Sequence, residues 1–180
     1  MIALLALALA TPLPPSVHPW PIGTGPGYRL APAPAAIQAG RPVGRFRCGS
    51  AGRRFGVHVE LFARRQVVII PAGIGVARPS KTSFGRVRPG GCTYPLRTLD
   101  PTGVIEVGGR ATLAEFFAVW GHPLTARRIA GFRGRVLAFV GGRRWRGDPR
   151  AIPLTRHSQI VLELGGYVPP HPRYLFPPGL

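Results

Sequence analysis

Few residues in this chain have chemical potential, and their spacing limits what they can do. His58 and Glu60 stand two apart in an alternating run, so a strand would place both on one face, a spacing at which two side chains can share one metal ion. An exposed polar strand face has the same pattern. His122 next to Pro123, and His157 ahead of an apolar run, read as loop or capping residues. Gly108-Gly109 and Gly141-Gly142 lack the G-x-G-x-x-G or G-K-[ST] context that cradles phosphate, so they read as turns. No hydrolase, kinase or nucleotide signature is present. Arg127-Arg128 through Arg135, then Arg143-Arg144-Trp145-Arg146, form a basic stretch with an aromatic residue that could clamp a nucleic acid. Without a recognisable binding module the stretch reads as a solvated sheet edge, where Arg discourages unwanted strand pairing.

These residues must be positioned by a small number of elements. Val57, Val59 and Leu61 alternate with His58, Glu60 and Phe62, the period of a half-buried strand. Arg64-Arg65 then turns the chain into a second strand at 67–70. A turn at Asp100-Pro-Thr-Gly103 precedes a short strand at 104–107. Thr112 and Glu115 have capping-box spacing, and Leu113, Phe116, Phe117 and Trp120 form one apolar stripe, so a helix is expected over 112–121, ended by Gly121 and Pro123. Residues 135–140 and 143–146 read as a hairpin across Gly141-Gly142, and 159–164 as the last strand. Together these predict an α+β domain, a largely antiparallel sheet with one packing helix, for which a β-grasp-like order is one arrangement.

The chain has 180 residues, 45% of them apolar and 17% charged, which describes one foldable domain. The net charge is +18, and all but one of the 24 basic residues are Arg, the exception being Lys81. Such a surface attracts polyanions and anionic membrane surfaces through salt-sensitive electrostatics, without specificity. A bias toward Arg, Gly, Pro and Ala also fits a GC-rich genome. The apolar run Ile2 to Ala10 is too short for a transmembrane span and suits a secretory signal peptide cleaved after Ala10, although no Lys or Arg precedes it. The expected organisation is a signal peptide at 1–10, a Pro/Ala/Gly-rich linker at 11–45, a globular domain at 46–167, and a Pro-rich tail at 168–180 lying against it. No transmembrane span is expected in the mature chain, which is read as periplasmic or extracellular. In an oxidising compartment, Cys48 and Cys92 are an even pair whose disulfide would close a long loop and stabilise the fold by about 4 kcal/mol. Two free thiols with redox or metal duty lack a C-x-x-C spacing or a third ligand nearby.

From Cys48 to Leu180 the chain resembles a group of exported or membrane-tethered bacterial and archaeal proteins. These carry a His-rich strand before a P-A-x-I-G turn, then a Cys, an L-H-T-H-D-x-x-G-x-I-H-x-E segment, a helix, a hairpin and a closing I-P-L-x-x-H-E-x-I-x-L. The counterparts here are Pro71-Ala-Gly-Ile-Gly75, Cys92, 96–107, 113–121, and Ile152-Pro-Leu154 with His157, Ile160 and Leu162. The resemblance implies export, supports the pairing of Cys48 with Cys92, and implies a transition-metal site built from imidazoles. In this chain the His-rich strand falls on Arg54, Gly56 and His58, and the later histidines fall on Arg97, Leu99 and Glu106, with Asp100 retained. An Arg at a ligand position substitutes a fixed cation for a neutral donor, so the resemblance implies a degenerate site. His58, Asp100 and Glu106 are what remains of it. Three readings follow: a non-enzymatic binding or structural module, an extracytoplasmic metal-binding protein or metalloenzyme using those three residues, or a basic polyanion-binding protein.

Overall fold

A computed structural model describes residues 27–35, 41–49, 52–78 and 80–180. The expected signal peptide and its cleavage point at Ala10 lie outside them. In chain order the strands are β1 (Tyr28–Leu30), β2 (Phe55–Ala63), β3 (Gln66–Ile69), β4 (Ser80–Ser83), β5 (Arg86–Pro89), β6 (Leu96–Arg97) and β7 (Val104–Val107). The helix α1 (Leu113–Trp120) follows, and then β8 (Leu124–Thr125), β9 (Arg128–Ile129), β10 (Phe132–Arg133), β11 (Val136–Val140), β12 (Arg143–Trp145), a 3-10 turn (Pro149–Ala151) and β13 (Gln159–Leu164).

The main sheet runs β1-β3-β2-β13-β11-β12, and β7 pairs with both β2 and β6. Two of its pairings, β2 with β13 and β1 with β3, are parallel. The expectation of an α+β domain with a largely antiparallel sheet is therefore corrected. Strand accounts for 39% and helix for 8% of the structure, and the sheet is mixed. The physical reason lies in β13. Its residues are buried along the whole strand, as a central strand covered on both sides must be, and it enters beside β2 after a crossover of nearly a hundred residues that no local signal announces. The tight two- and four-residue strands β4 to β6 and β8 to β10 carry no readable alternation.

Where local chemistry governs, the chain follows it. Thr112 accepts a hydrogen bond from the Glu115 N–H, the Glu115 carboxylate accepts one from the Thr112 N–H at 2.9 Å, and Gly121 closes α1 in the left-handed conformation. Leu113, Phe116, Phe117 and Trp120 are fully buried against the inner face of the sheet, which supplies Val57, Val59 and Leu61 from β2, Ile105 from β7, and Ile160 and Leu162 from β13. The β2–β3 hairpin turns on Arg64 and Arg65 with φ of 52° and 64°. A two-residue turn needs both residues left-handed, and two non-glycine residues there carry strain.

The outer face of the sheet is a second layer. Phe62, Phe139 and Val161 form a small apolar cluster on it with Val168. The C-terminal segment crosses the rest. Phe176 lies so close over Gly56 that a Cβ at that position would come within 2.5 Å of its ring. Tyr28–Leu30, inside the Pro/Ala/Gly-rich stretch, extends the same sheet beyond β3. Cys48 and Cys92 form a disulfide with Cα atoms 5.4 Å apart, joining the segment before β2 to the segment before β6. Among the described residues no helix is long and apolar enough to cross a membrane.

Candidate functional site

The pairing of β2 with β7 and of β7 with β6 decides which side chains meet. Gly56 and Arg97 both lie opposite Glu106, and His58 lies opposite Val104. Gly56, His58, Arg97 and Glu106 therefore share the outer face of the sheet, where the C-terminal segment covers Gly56, His58 and Glu106.

At one end of this region Arg97 holds Glu106, with Nη2 to Oε2 at 2.6 Å and Nε to Oε2 at 2.8 Å. Arg54 and Arg97 both donate to the Thr93 hydroxyl, at 3.1 and 3.3 Å. Burial and the neighbouring Arg97 guanidinium bring Arg54 down to about 10, so it remains cationic at neutral pH. Two guanidiniums thus stand together at Thr93, beside the Glu106 carboxylate. Asp100 sits further along, its carboxylate 2.9 Å from Arg86 and hydrogen-bonded by the Thr102 hydroxyl. Asp100, Glu106 and Leu99 line one cavity of about 310 Å³, closed on one side by Pro177 to Leu180.

His58 belongs to a neighbouring cavity of about 290 Å³, lined also by Glu60, Phe62, His171 and Tyr174. Thr102 lines both cavities. His58 is 4% exposed, with Nδ1 at 2.6 Å from the Gln159 amide and Nε2 at 2.9 Å from the Thr102 carbonyl oxygen. As placed, the Gln159 amide presents its oxygen to Nδ1 and leaves its buried NH2 without a partner. Turning the amide over, which keeps its shape, makes it a donor to Nδ1. A neutral imidazole then accepts at Nδ1 and donates from Nε2, and burial, which depresses the His58 pKa, favours that neutral form over the imidazolium. Tyr174 stacks on the ring at 3.7 Å between centroids, and burial pushes its hydroxyl up to about 12. His171 donates from Nδ1 to the Glu60 carboxylate at 3.0 Å. Gly103, at φ 82°, lets the 100–103 turn press against β2, where a Cβ would come within 2.5 Å of the Val59 oxygen.

The three candidate ligands are thus placed but not united. Asp100 and Glu106 share a cavity, while His58 faces the next one with both nitrogens engaged. Among the described residues no group of three or more His, Cys, Asp or Glu side chains is arranged to hold a metal. The donor set does not fit the transition metal that the resemblance implies: each carboxylate is bound by a guanidinium and the imidazole has no free lone pair. His122 donates from Nε2 to the Ala33 carbonyl oxygen at 2.8 Å, and His157 donates from Nε2 to the Leu180 carbonyl oxygen at 2.6 Å, so both pin chain segments. His157 also stacks on Phe176 at 4.8 Å.

Sequence reasoning singled out His58 and Glu60 but not their partners Gln159, His171 and Tyr174. Gln159 opens β13, and only the parallel β2–β13 register puts it opposite His58. No local pattern carries that pairing. The chain matches no family model, no curated protein and no solved structure.

Proposed function

We propose that this chain is an exported, non-enzymatic binding or structural module, and a divergent member of the exported family it resembles, in which the metal site has been rebuilt as a structural polar network. The observation that supports this reading is the occupancy of the three candidate ligands by internal partners: His58 by Gln159 and Thr102, Asp100 by Arg86, and Glu106 by Arg97. Converting ligands into salt-bridge acceptors removes the lone pairs that a metal needs, and the flanking guanidiniums oppose a cation. The formed disulfide and the lack of a membrane-crossing helix among the described residues are compatible with export to a periplasmic or extracellular space.

The test is elemental analysis of the protein purified without chelator. The module reading expects Zn, Cu, Ni and Fe far below stoichiometric. About one equivalent of any of them, lost on Glu106→Ala or His58→Ala, would establish the metal-binding alternative instead.

A further inference from the structure

A second feature lies away from this network, along the free edge of the main sheet. β12 is the last strand in the order, and between it, the β8–β9 turn and the 3-10 turn runs an open groove of about 970 Å³. Arg127, Arg135, Arg146 and Arg150 line it, the last two from the segment that runs from β12 into the 3-10 turn. Arg144 also borders the groove, but its guanidinium lies 5.4 Å over the Phe139 ring on the outer face of the sheet, so its charge belongs to the other side. The four remaining arginines are exposed, and none is in an ion pair among the described residues. The single acid lining the groove among the described residues, Asp148, accepts a hydrogen bond from the Arg150 backbone N–H at 2.9 Å. Four exposed cations beside a single carboxylate give the groove an excess of positive charge that an anionic ligand would offset.

The floor narrows the chemistry. Val136 and Ala138 are buried beneath it, and the half-buried indole of Trp145 is held by its Nε1–H donating to the Asp148 carbonyl oxygen at 3.1 Å. Among the described residues Trp145 is the only aromatic side chain lining the groove. Single-stranded nucleic acids are held by successive aromatic platforms, one for each of several bases. One fixed indole beside four forked guanidiniums suits a sugar chain better, its apolar ring face resting on the indole and its anionic groups accepting paired hydrogen bonds from Arg.

We propose that the β12 groove binds an acidic polysaccharide, a chain of sugars bearing carboxylate or sulfate groups. This deepens the binding-module reading and rests on it. Calorimetry on the full chain at 0.15 M salt would use a heparin-derived hexasaccharide, a hexameric polygalacturonate and a thymidine oligonucleotide of matched charge. The pair Arg146→Gln with Arg150→Gln removes two groove cations, and Arg78→Gln with Arg88→Gln removes two exposed cations outside it. The expected result is saturable binding of at least one oligosaccharide, weakened on the order of tenfold or more by the groove pair and within about twofold of wild type for the control pair. Equal losses in the two pairs, tighter groove-dependent binding of the oligonucleotide, or no saturable binding at this salt would overturn the proposal. Metal content and intact mass of the recovered sugar, taken from the same samples, separate the two readings. Failure of binding without metal sinks the groove alone, whereas stoichiometric metal or a cleaved sugar sinks the non-enzymatic module.

Discussion

Replacing His58 by Ala separates a structural histidine from a metal ligand. The substitution removes a ring stacked on Tyr174 at 3.7 Å, a contact class worth about 1 kcal/mol beyond its burial. It also leaves the Thr102 carbonyl and the Gln159 amide without their partner, at about 1 kcal/mol each when the groups are buried. Together these put the loss near 3 kcal/mol, large against a typical domain stability of roughly 5 to 15 kcal/mol but small enough for the variant to fold. The assay is urea denaturation of wild type and variant followed by circular dichroism at pH 7.5, with and without EDTA. The loss should be the same in both buffers. A loss below about 1 kcal/mol, or one that vanishes against EDTA-treated wild type, would refute the structural account. Titration adds a second arm. The buried His58 is harder to protonate when folded than unfolded, so the unfolded chain takes up the proton first as pH falls. Wild-type stability should therefore drop as pH falls below about 6.5 toward the depressed folded value, and the His58→Gln variant should lose that component.

Glu163 faces the outer cluster from near the end of β13 with neither oxygen in a hydrogen bond of normal geometry, and burial raises its pKa despite the Val168 N–H and the Arg144 guanidinium. The unfolded chain releases this proton first, so wild-type stability should fall as pH rises above about 4.3, and Glu163→Gln should be more stable near pH 7.5 by about 1 kcal/mol in urea denaturation. A less stable variant would show that the carboxylate is held by interactions this account omits. Reducing the Cys48–Cys92 disulfide, which spans a separation of 44 residues, should lower stability by about 4 kcal/mol, measured as denaturation midpoints with and without reductant. Unchanged midpoints would mean the reduced unfolded chain is already compact. Arg65→Gly relieves a left-handed non-glycine residue in the β2–β3 turn and should raise the thermal midpoint, corresponding to about 0.5 to 1 kcal/mol. A lowered midpoint would rule out strain at that turn.

Much of what the sequence determined by itself was local. The helix follows from Thr112, Glu115 and an apolar stripe within one segment, and the hairpins follow from alternation interrupted at Arg64-Arg65 and Gly141-Gly142, because capping and turn geometry involve residues a few positions apart. The cysteine pair also follows, since the chain has two cysteines and a disulfide between them leaves none over. What only the tertiary structure decided depends on contacts across long separations. The parallel insertion of β13 beside β2 makes the sheet mixed, carries Gln159 to His58, and turns a candidate ligand into a satisfied core imidazole. The return of the C-terminal segment brings His171 and Tyr174 onto the same face. The folding of the β11–β12 edge against the 3-10 turn gathers arginines from 127 to 150 into one groove, where composition alone described a diffuse positive charge. Pairing between distant strands is selected by burial summed over the whole core, and no window of the sequence contains that sum.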